Sequence, residues 1–330
     1  MRCVLFIFIL FPFFISAQEE SSYLPEKKDP VVLITAKGSI FDQARNGIVN
    51  ELRDEFSISI IEIDENTSSE EIDTLFQSFN LPKAVVLIGN NAIRVYTKYT
   101  QLQKEKTEPI QVVTILALDV QRAVSSLPNV KGVAYETPMV TALVNFRRVI
   151  DKPISSVGVL YRKPLKEFIE KHTRFCLKEN IEIKAIEIDE DTSKHQIEIA
   201  NALQTLLKKE KVEALWIAND NVLLKPDLLG NVWLPALKKN KVPLIVGVEA
   251  LVNPKLNFGT FAVIPDPVAI GEQAAEIIFD LKAEDWVHNG IVIYPAISMY
   301  SVLNYKSASE IANKQNLKTY EVSKVLNGKK

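Results

Sequence analysis

The sequence predicts an α/β fold of two similar Rossmann-like lobes, each with a parallel sheet. Three observations predict it. Short apolar runs alternate with amphipathic stretches through both halves of the chain, as parallel strands covered by helices on both faces should. The phrase IEIDENTS, Ile61 to Ser68, returns as IEIDEDTS, Ile186 to Ser193, at the same step of that alternation. The motifs G-x-G-x-x-G, Walker A, G-x-S-x-G and H-E-x-x-H are absent from the chain, so no catalytic signature competes with this reading.

Residues 1–17 read as a secretory signal: Arg2, then the apolar run VLFIFILFPFFIS, then Ala17, after which cleavage is expected. About thirteen apolar residues fall short of the ~20 needed to cross a bilayer, so an exported, periplasmic chain is expected rather than an anchored one. Cys3 stands at the start of the apolar run, whereas a lipoprotein cleavage site would need it at the end. Residues 18–30, polar and with prolines at 25 and 30, suit a flexible leader.

The first lobe follows as a strand from Val31 to Thr35 and a helix capped by Ser39, with Phe41, Ala44, Ile48, Val49 and Leu52 along one face. Then come a strand from Ser57 to Ile63, a helix from Glu70 to Phe79, and strands from Ala84 to Ile88 and Ile110 to Leu116. The second lobe repeats the order. Its strand Val157 to Tyr161 leads to helix Leu165 to Lys178, strand Glu182 to Ile188 and helix Lys194 to Lys209, and then to strands Ala214 to Ala218 and Leu244 to Val248. In each copy of the repeated phrase a β-branched strand ends in acidic residues and a serine spaced for a capping box, Ser68 with Glu71 and Ser193 with Gln196. The repeat therefore marks the second strand-to-helix corner of each lobe, a structural use of the phrase.

Lysine and arginine (39) nearly balance aspartate and glutamate (41), and no basic run carries interleaved aromatics, which argues against nucleic acid as a partner. Only Cys176 survives processing, so no intrachain disulfide can form. His172 and Cys176 stand four apart among Phe168, Ile169 and Phe175, a semi-buried helix face rather than a metal site; neither metal nor other cofactor is expected. His195 and His288 are expected to be exposed.

Ligands of open parallel sheets bind beyond the carboxyl ends of the strands, where helix N-termini offer unpaired N–H groups. In the first lobe this singles out Lys37, Gly38, Ser39 and Phe41 after the first strand, Gly89, Asn90 and Asn91 after the third, and Ala117 to Asp119 after the fourth. In the second lobe it singles out Tyr161 and Arg162, then Asn219, Asp220 and Asn221, and finally Glu249.

The succession WIANDN (216–221), KKNKVPLIVGVEALV (238–252), FGTFAVIPDPVAIGEQAAEIIFDL (258–281) and VLNYKSASEIANKQNL (302–317) resembles the ABC-transporter substrate-binding family that includes tryptophan and tyrosine binders, within the type I periplasmic binding proteins. The likeness spans most of residues 31–326. It departs at Pro267, where an aromatic is usual, and at Arg162 to Pro164, where the loop is usually rich in Asn and Ser. The resemblance implies a three-segment hinge with crossings near Ala134 to Pro138, Ile264 to Asp266 and Pro295 to Ser298. Lobe 1 would then be 31–134 plus 266–294, and lobe 2 would be 135–265 plus 295–330. Tyr135 and Glu136 would face the cleft from the first crossing. It further implies capture of a small-molecule solute and delivery to the membrane permease of an ABC importer, by a monomer.

Asp220 and Glu249 each follow an apolar strand and are expected to project into the cleft opposite the Ser39 helix start and the Gly89 to Asn91 loop. An ammonium on one wall and a carboxylate on the other would then be satisfied together, with Tyr135, Tyr161 or Phe41 covering a side chain, so an amino acid leads among solutes. A sensing module for a membrane receptor, a secreted hydrolase using Asp220 with Glu249, and an adhesive protein are the alternatives.

Overall fold

A computed structural model describes residues 28–78, 81–103, 110–312 and 314–328. The expected signal, residues 18–27 of the leader and Phe79 lie outside the described residues. The described remainder of the leader is already structured from Asp29, which begins the first strand.

The first sheet is made of β1 (Asp29–Ala36), β2 (Phe56–Ile63), β3 (Ala84–Ile88), β4 (Gln111–Ile115), β5 (Asn129–Ala134) and β11 (Gly290–Pro295). Its order is β11-β5-β4-β3-β1-β2, and every neighbouring pair is parallel. The second sheet holds β6 (Ser156–Arg162), β7 (Glu182–Ile188), β8 (Ala214–Ile217), β9 (Leu244–Val246), β10 (Phe261–Pro265), β12 (Met299–Asn304) and β13 (Lys324–Leu326), in the order β13-β12-β10-β9-β8-β6-β7. The run β4-β3-β1-β2 of the first sheet thus has its counterpart in β9-β8-β6-β7 of the second, and both copies of the repeated phrase leave an edge strand.

One departure from a purely parallel design has a topological cause. β10 leaves the second sheet at its carboxyl end, β11 joins the first sheet, and the chain re-enters the second sheet at that same end. β12 must therefore run against β10, with Pro265 opposite Met299 at the re-entry point. The second sheet is mixed.

Apolar strand composition decides burial. β3 (AVVLI) is buried along its whole length, with helices on both faces, as continuous β-branched and leucine runs require. The helix Pro267–Ala283 is opened by Asp266, whose carboxylate accepts from the N–H groups of Val268 (2.9 Å) and Ala269 (3.4 Å), with Pro267 at the first helical position. It packs on the helix Ser39–Leu52 through Gly271 and Gly47. A Cβ at Gly271 would lie 2.1 Å from the Ala44 carbonyl oxygen, and one at Gly47 would lie 2.4 Å from that of Val268, so only glycine allows this backbone approach.

Four local expectations are corrected. Ser39 is the first helical residue rather than the cap; Gly38 holds the N-cap position with φ 141°, and no side chain caps the helix. At the first copy of the repeated phrase the capping box forms in full, the Ser68 hydroxyl accepting from the Glu71 N–H (3.2 Å) and the Glu71 carboxylate from the Ser68 N–H (3.1 Å). At the second copy it does not form: Ser193 donates its N–H and hydroxyl to Asp191 instead, and the helix begins at His195. His195 is buried, its Nε2 2.8 Å from the Asp189 carbonyl oxygen, because the first turn folds back over the corner. The expected helix from Lys194 to Lys209 is α-helical to Gln204 and passes into a π-turn from Thr205.

Candidate functional site

A cleft of about 1310 Å³ lies beyond the carboxyl ends of both sheets. Each wall is built from strand ends and the residues that follow them.

On the first wall β1 and β3 both end in glycine-led helix starts. Gly89 (φ 88°, ψ 165°) caps the helix Asn90–Leu102, again with no side-chain hydrogen bond, so two helices present first-turn N–H groups without a capping side chain. Phe41 sits between them. Its ring lies 3.5 Å from the position a Cβ on Gly38 would take and 2.9 Å from that of a Cβ on Gly89, so Gly89 also makes room for the ring. Lys37, Ser39, Phe41, Gly89, Asn90 and Asn91 line the cleft together, with Gly38 at the cap between Lys37 and Ser39. Asn90 also pins the loop after β4, because its amide donates to the Leu118 carbonyl and accepts from the Leu118 N–H, both at 2.9 Å.

The second wall is different. Asp220 does not present a carboxylate to the cleft. It is buried, and its two oxygens accept from Nε (2.7 Å) and the NH2 nitrogen (3.0 Å) of Arg162. The Asp220 carboxylate also accepts from the Val222 N–H (2.8 Å) and so caps the turn. This fork-to-fork pairing, extended by Glu190 at 3.1 Å, raises the Arg162 pKa although burial works against the cation. Tyr161 likewise turns away and donates to Glu187 at 3.3 Å.

Glu249 and Asn221 do line the cleft, but Glu249 is engaged by the Tyr300 hydroxyl (2.8 Å) and by Lys324 Nζ (2.5 Å). Burial would raise its pKa; these two donors outweigh that and hold the carboxyl below its usual range. Tyr135 faces the cleft from the first crossing, and its phenol is pushed up to about 12 by burial and by the nearby Glu136 and Glu249 charges.

Glu136 faces the opposite way, because successive residues of an extended segment alternate sides. It borders a small chamber of about 60 Å³ and accepts from the Asp119 N–H. Burial raises its carboxyl pKa, only partly offset by that hydrogen bond.

Tyr300, Lys324, Asp64 and Glu65 also line the cleft, and sequence reasoning did not place them there. For Asp64 and Glu65 the signal was available, since the repeated phrase ends a strand at the same level as the Gly89 loop. Tyr300 and Lys324 come from the last two strands, which are short and half-exposed and leave little periodicity to read.

No protein-family model and no curated protein matches the chain. Solved structures do. The chain is similar to the ABC domain from Streptococcus pneumonia in complex with L-Trp, at 18% identity and a TM-score of 0.55, over 90% of this chain and 100% of that one. It is also similar to the ligand-free, open structure of a substrate binding protein with adhesive properties from Clostridium difficile, at 13% identity and a TM-score of 0.66, over 92% of this chain and 100% of that one. The fold is that of the type I periplasmic binding proteins. At these identities the likeness speaks for the fold, and in this type I fold the cleft between the sheets is walled by the residues described above. A conserved domain protein from Vibrio cholerae is similar too, at 13% identity and a TM-score of 0.57.

Proposed function

We propose that this chain is an exported solute-binding protein whose two lobes, 31–134 with 266–294 and 135–265 with 295–330, close on a small polar or amphipathic solute. An amino acid, aromatic ones included, is the leading class, and a monomeric protein hands it to the permease of an ABC-type importer in the periplasm. No covalent step is part of this function. The observation that carries the reading is the cleft itself, lined from both sheets, with two helix starts free of capping side chains on one wall. Those N–H groups suit an anionic group such as an α-carboxylate. The facing wall offers Tyr135, Tyr300 and the Glu249–Lys324 pair, which suit the remainder of a zwitterion. A solute that touches both walls favours the closed state by its differential affinity for it.

Two properties of the second wall bear on the hydrolase alternative: Asp220 is locked by Arg162 and Glu249 is engaged by Tyr300 and Lys324, so neither carboxylate is free to take up a substrate. The test is native mass spectrometry of the purified protein, before and after mild unfolding and refolding, followed by titration with the twenty amino acids. Capture of a small molecule released by unfolding and replaced by an amino acid supports the reading; a protein that carries and binds none opposes it.

A further inference from the structure

We propose that the chamber behind Leu118 is a donor-selective subsite, one that takes the hydroxyl- or N–H-bearing tip of the captured solute; it rests on the solute-binding reading above. The chamber is walled by apolar groups, Leu165, Phe168, Trp216 and Val263 among them, and by four polar residues, Asp119, Glu136, Thr137 and Asn219, of which Asp119 is already ion-paired through Oδ2 with Arg122 Nε at 2.6 Å. Two of its oxygens have no protein partner although they are buried: Thr137 Oγ1, on a side chain 8% exposed, and Asn219 Oδ1. The Asn219 amide lies over Gly247, where a Cβ would approach Oδ1 to 2.4 Å, so the glycine makes room for it. Glu136 adds a carboxylate with one hydrogen bond, from the Asp119 N–H.

Such a surface is rich in acceptors, and an apolar tip placed there would strand them without water. A tip that donates would satisfy them. The chamber's volume of about 60 Å³ is small beside the cleft's 1310 Å³, so it admits only the tip of a solute whose body stays in the cleft.

Leu118 lines both spaces. Its backbone is pinned on both sides by the Asn90 amide, so a side chain on a fixed loop borders both spaces. The hinge segment is already divided to serve both, Tyr135 towards the cleft and Glu136 towards the chamber.

The test is isothermal titration with two matched pairs that differ by one hydroxyl, L-tyrosine with L-phenylalanine and 6-hydroxynorleucine with norleucine. The expected result is that the hydroxylated member of at least one pair binds tenfold or more tightly than its partner. In Asn219→Leu and in Thr137→Val, which keeps the shape of the side chain, that ratio should fall below threefold, because the hydroxylated member loses an acceptor and its partner no longer strands one. Thr137→Val alone decides the matter if Asn219→Leu unfolds. Equal affinity within both pairs, or a preference that survives the substitutions, overturns the subsite and leaves solute binding standing. If no member of either pair binds, the subsite as proposed falls, and the titration with the twenty amino acids decides whether amino-acid capture falls with it.

Discussion

At the ends of β1 and β3 the first wall presents Gly38 and Gly89, where two helices begin without a side-chain cap, whereas at the ends of β6, β8 and β9 the second wall presents Arg162, Asp220 and Glu249, each already paired. The sheets share a strand order, and their corners share a phrase, yet one wall keeps its hydrogen-bonding capacity open and the other consumes much of it internally. Residue type at a strand end therefore does not decide what meets a solute. What decides is whether another part of the chain has reached that group first. The two copies of the repeated phrase make the same point on a smaller scale, since Ser68 caps its helix while Asp191 takes Ser193 out of reach.

The largest effect expected from this contrast is on stability at the second wall. Asp220→Ala leaves the Arg162 guanidinium, only 18% exposed, without its main partner, and should cost about 3 kcal/mol in urea unfolding. Replacing both, as Arg162→Met with Asp220→Leu, should restore most of that loss. A loss below about 1 kcal/mol for Asp220→Ala would mean the pair is not structural and that Asp220 is free for other work.

On the first wall the open geometry rests on glycine. Gly89→Ala must hold a side chain at φ 88° and push on Phe41, which should cost about 2 kcal/mol and weaken solute binding together. An unchanged melting temperature would show that the strained conformation is not required.

A smaller effect separates the two corners. Ser68→Ala removes a reciprocal cap and should cost about 1 kcal/mol, while Ser193→Ala should cost less than half as much. Equal costs in chemical denaturation would erase the distinction between the copies.

The smallest effect is a pH slope. The folded-state pKa of Glu136 is raised, so its folded form holds its proton more tightly than the unfolded chain does. Its contribution to stability is complete below the ordinary glutamate value of 4.5 and is lost as pH rises through the folded value. Glu136→Gln, which can still accept from the Asp119 N–H, should flatten the dependence of melting temperature on pH above 4.5. A slope unchanged by the substitution would place its origin elsewhere.

Much of the fold was legible because it is written in local periodicity. Runs such as Val31 to Thr35 and Ala84 to Ile88 identify buried parallel strands, and Asp266 with Pro267 announces a helix start that the structure forms. The first wall was legible for the same reason, since its groups lie within a few residues of a strand end. Asp220 was misplaced because its partner is 58 residues away, and the engagement of Glu249 was missed because Lys324 is 75 residues away. Neither pairing leaves a local trace. β12 escaped notice because its half-exposed first three residues, Met299 to Ser301, resemble a loop, and its antiparallel course follows from the route of the whole chain rather than from its own sequence.

The central claim is that the first wall holds an anionic group of a solute gripped from both sides. Its most direct measurement is isothermal titration of the tightest-binding amino acid against its own methyl ester, which keeps the side chain and the amine and removes the negative charge. The account predicts that the free acid binds at least tenfold more tightly than the ester. Equal affinity for the two, or heat of binding from no amino acid at all, would contradict it.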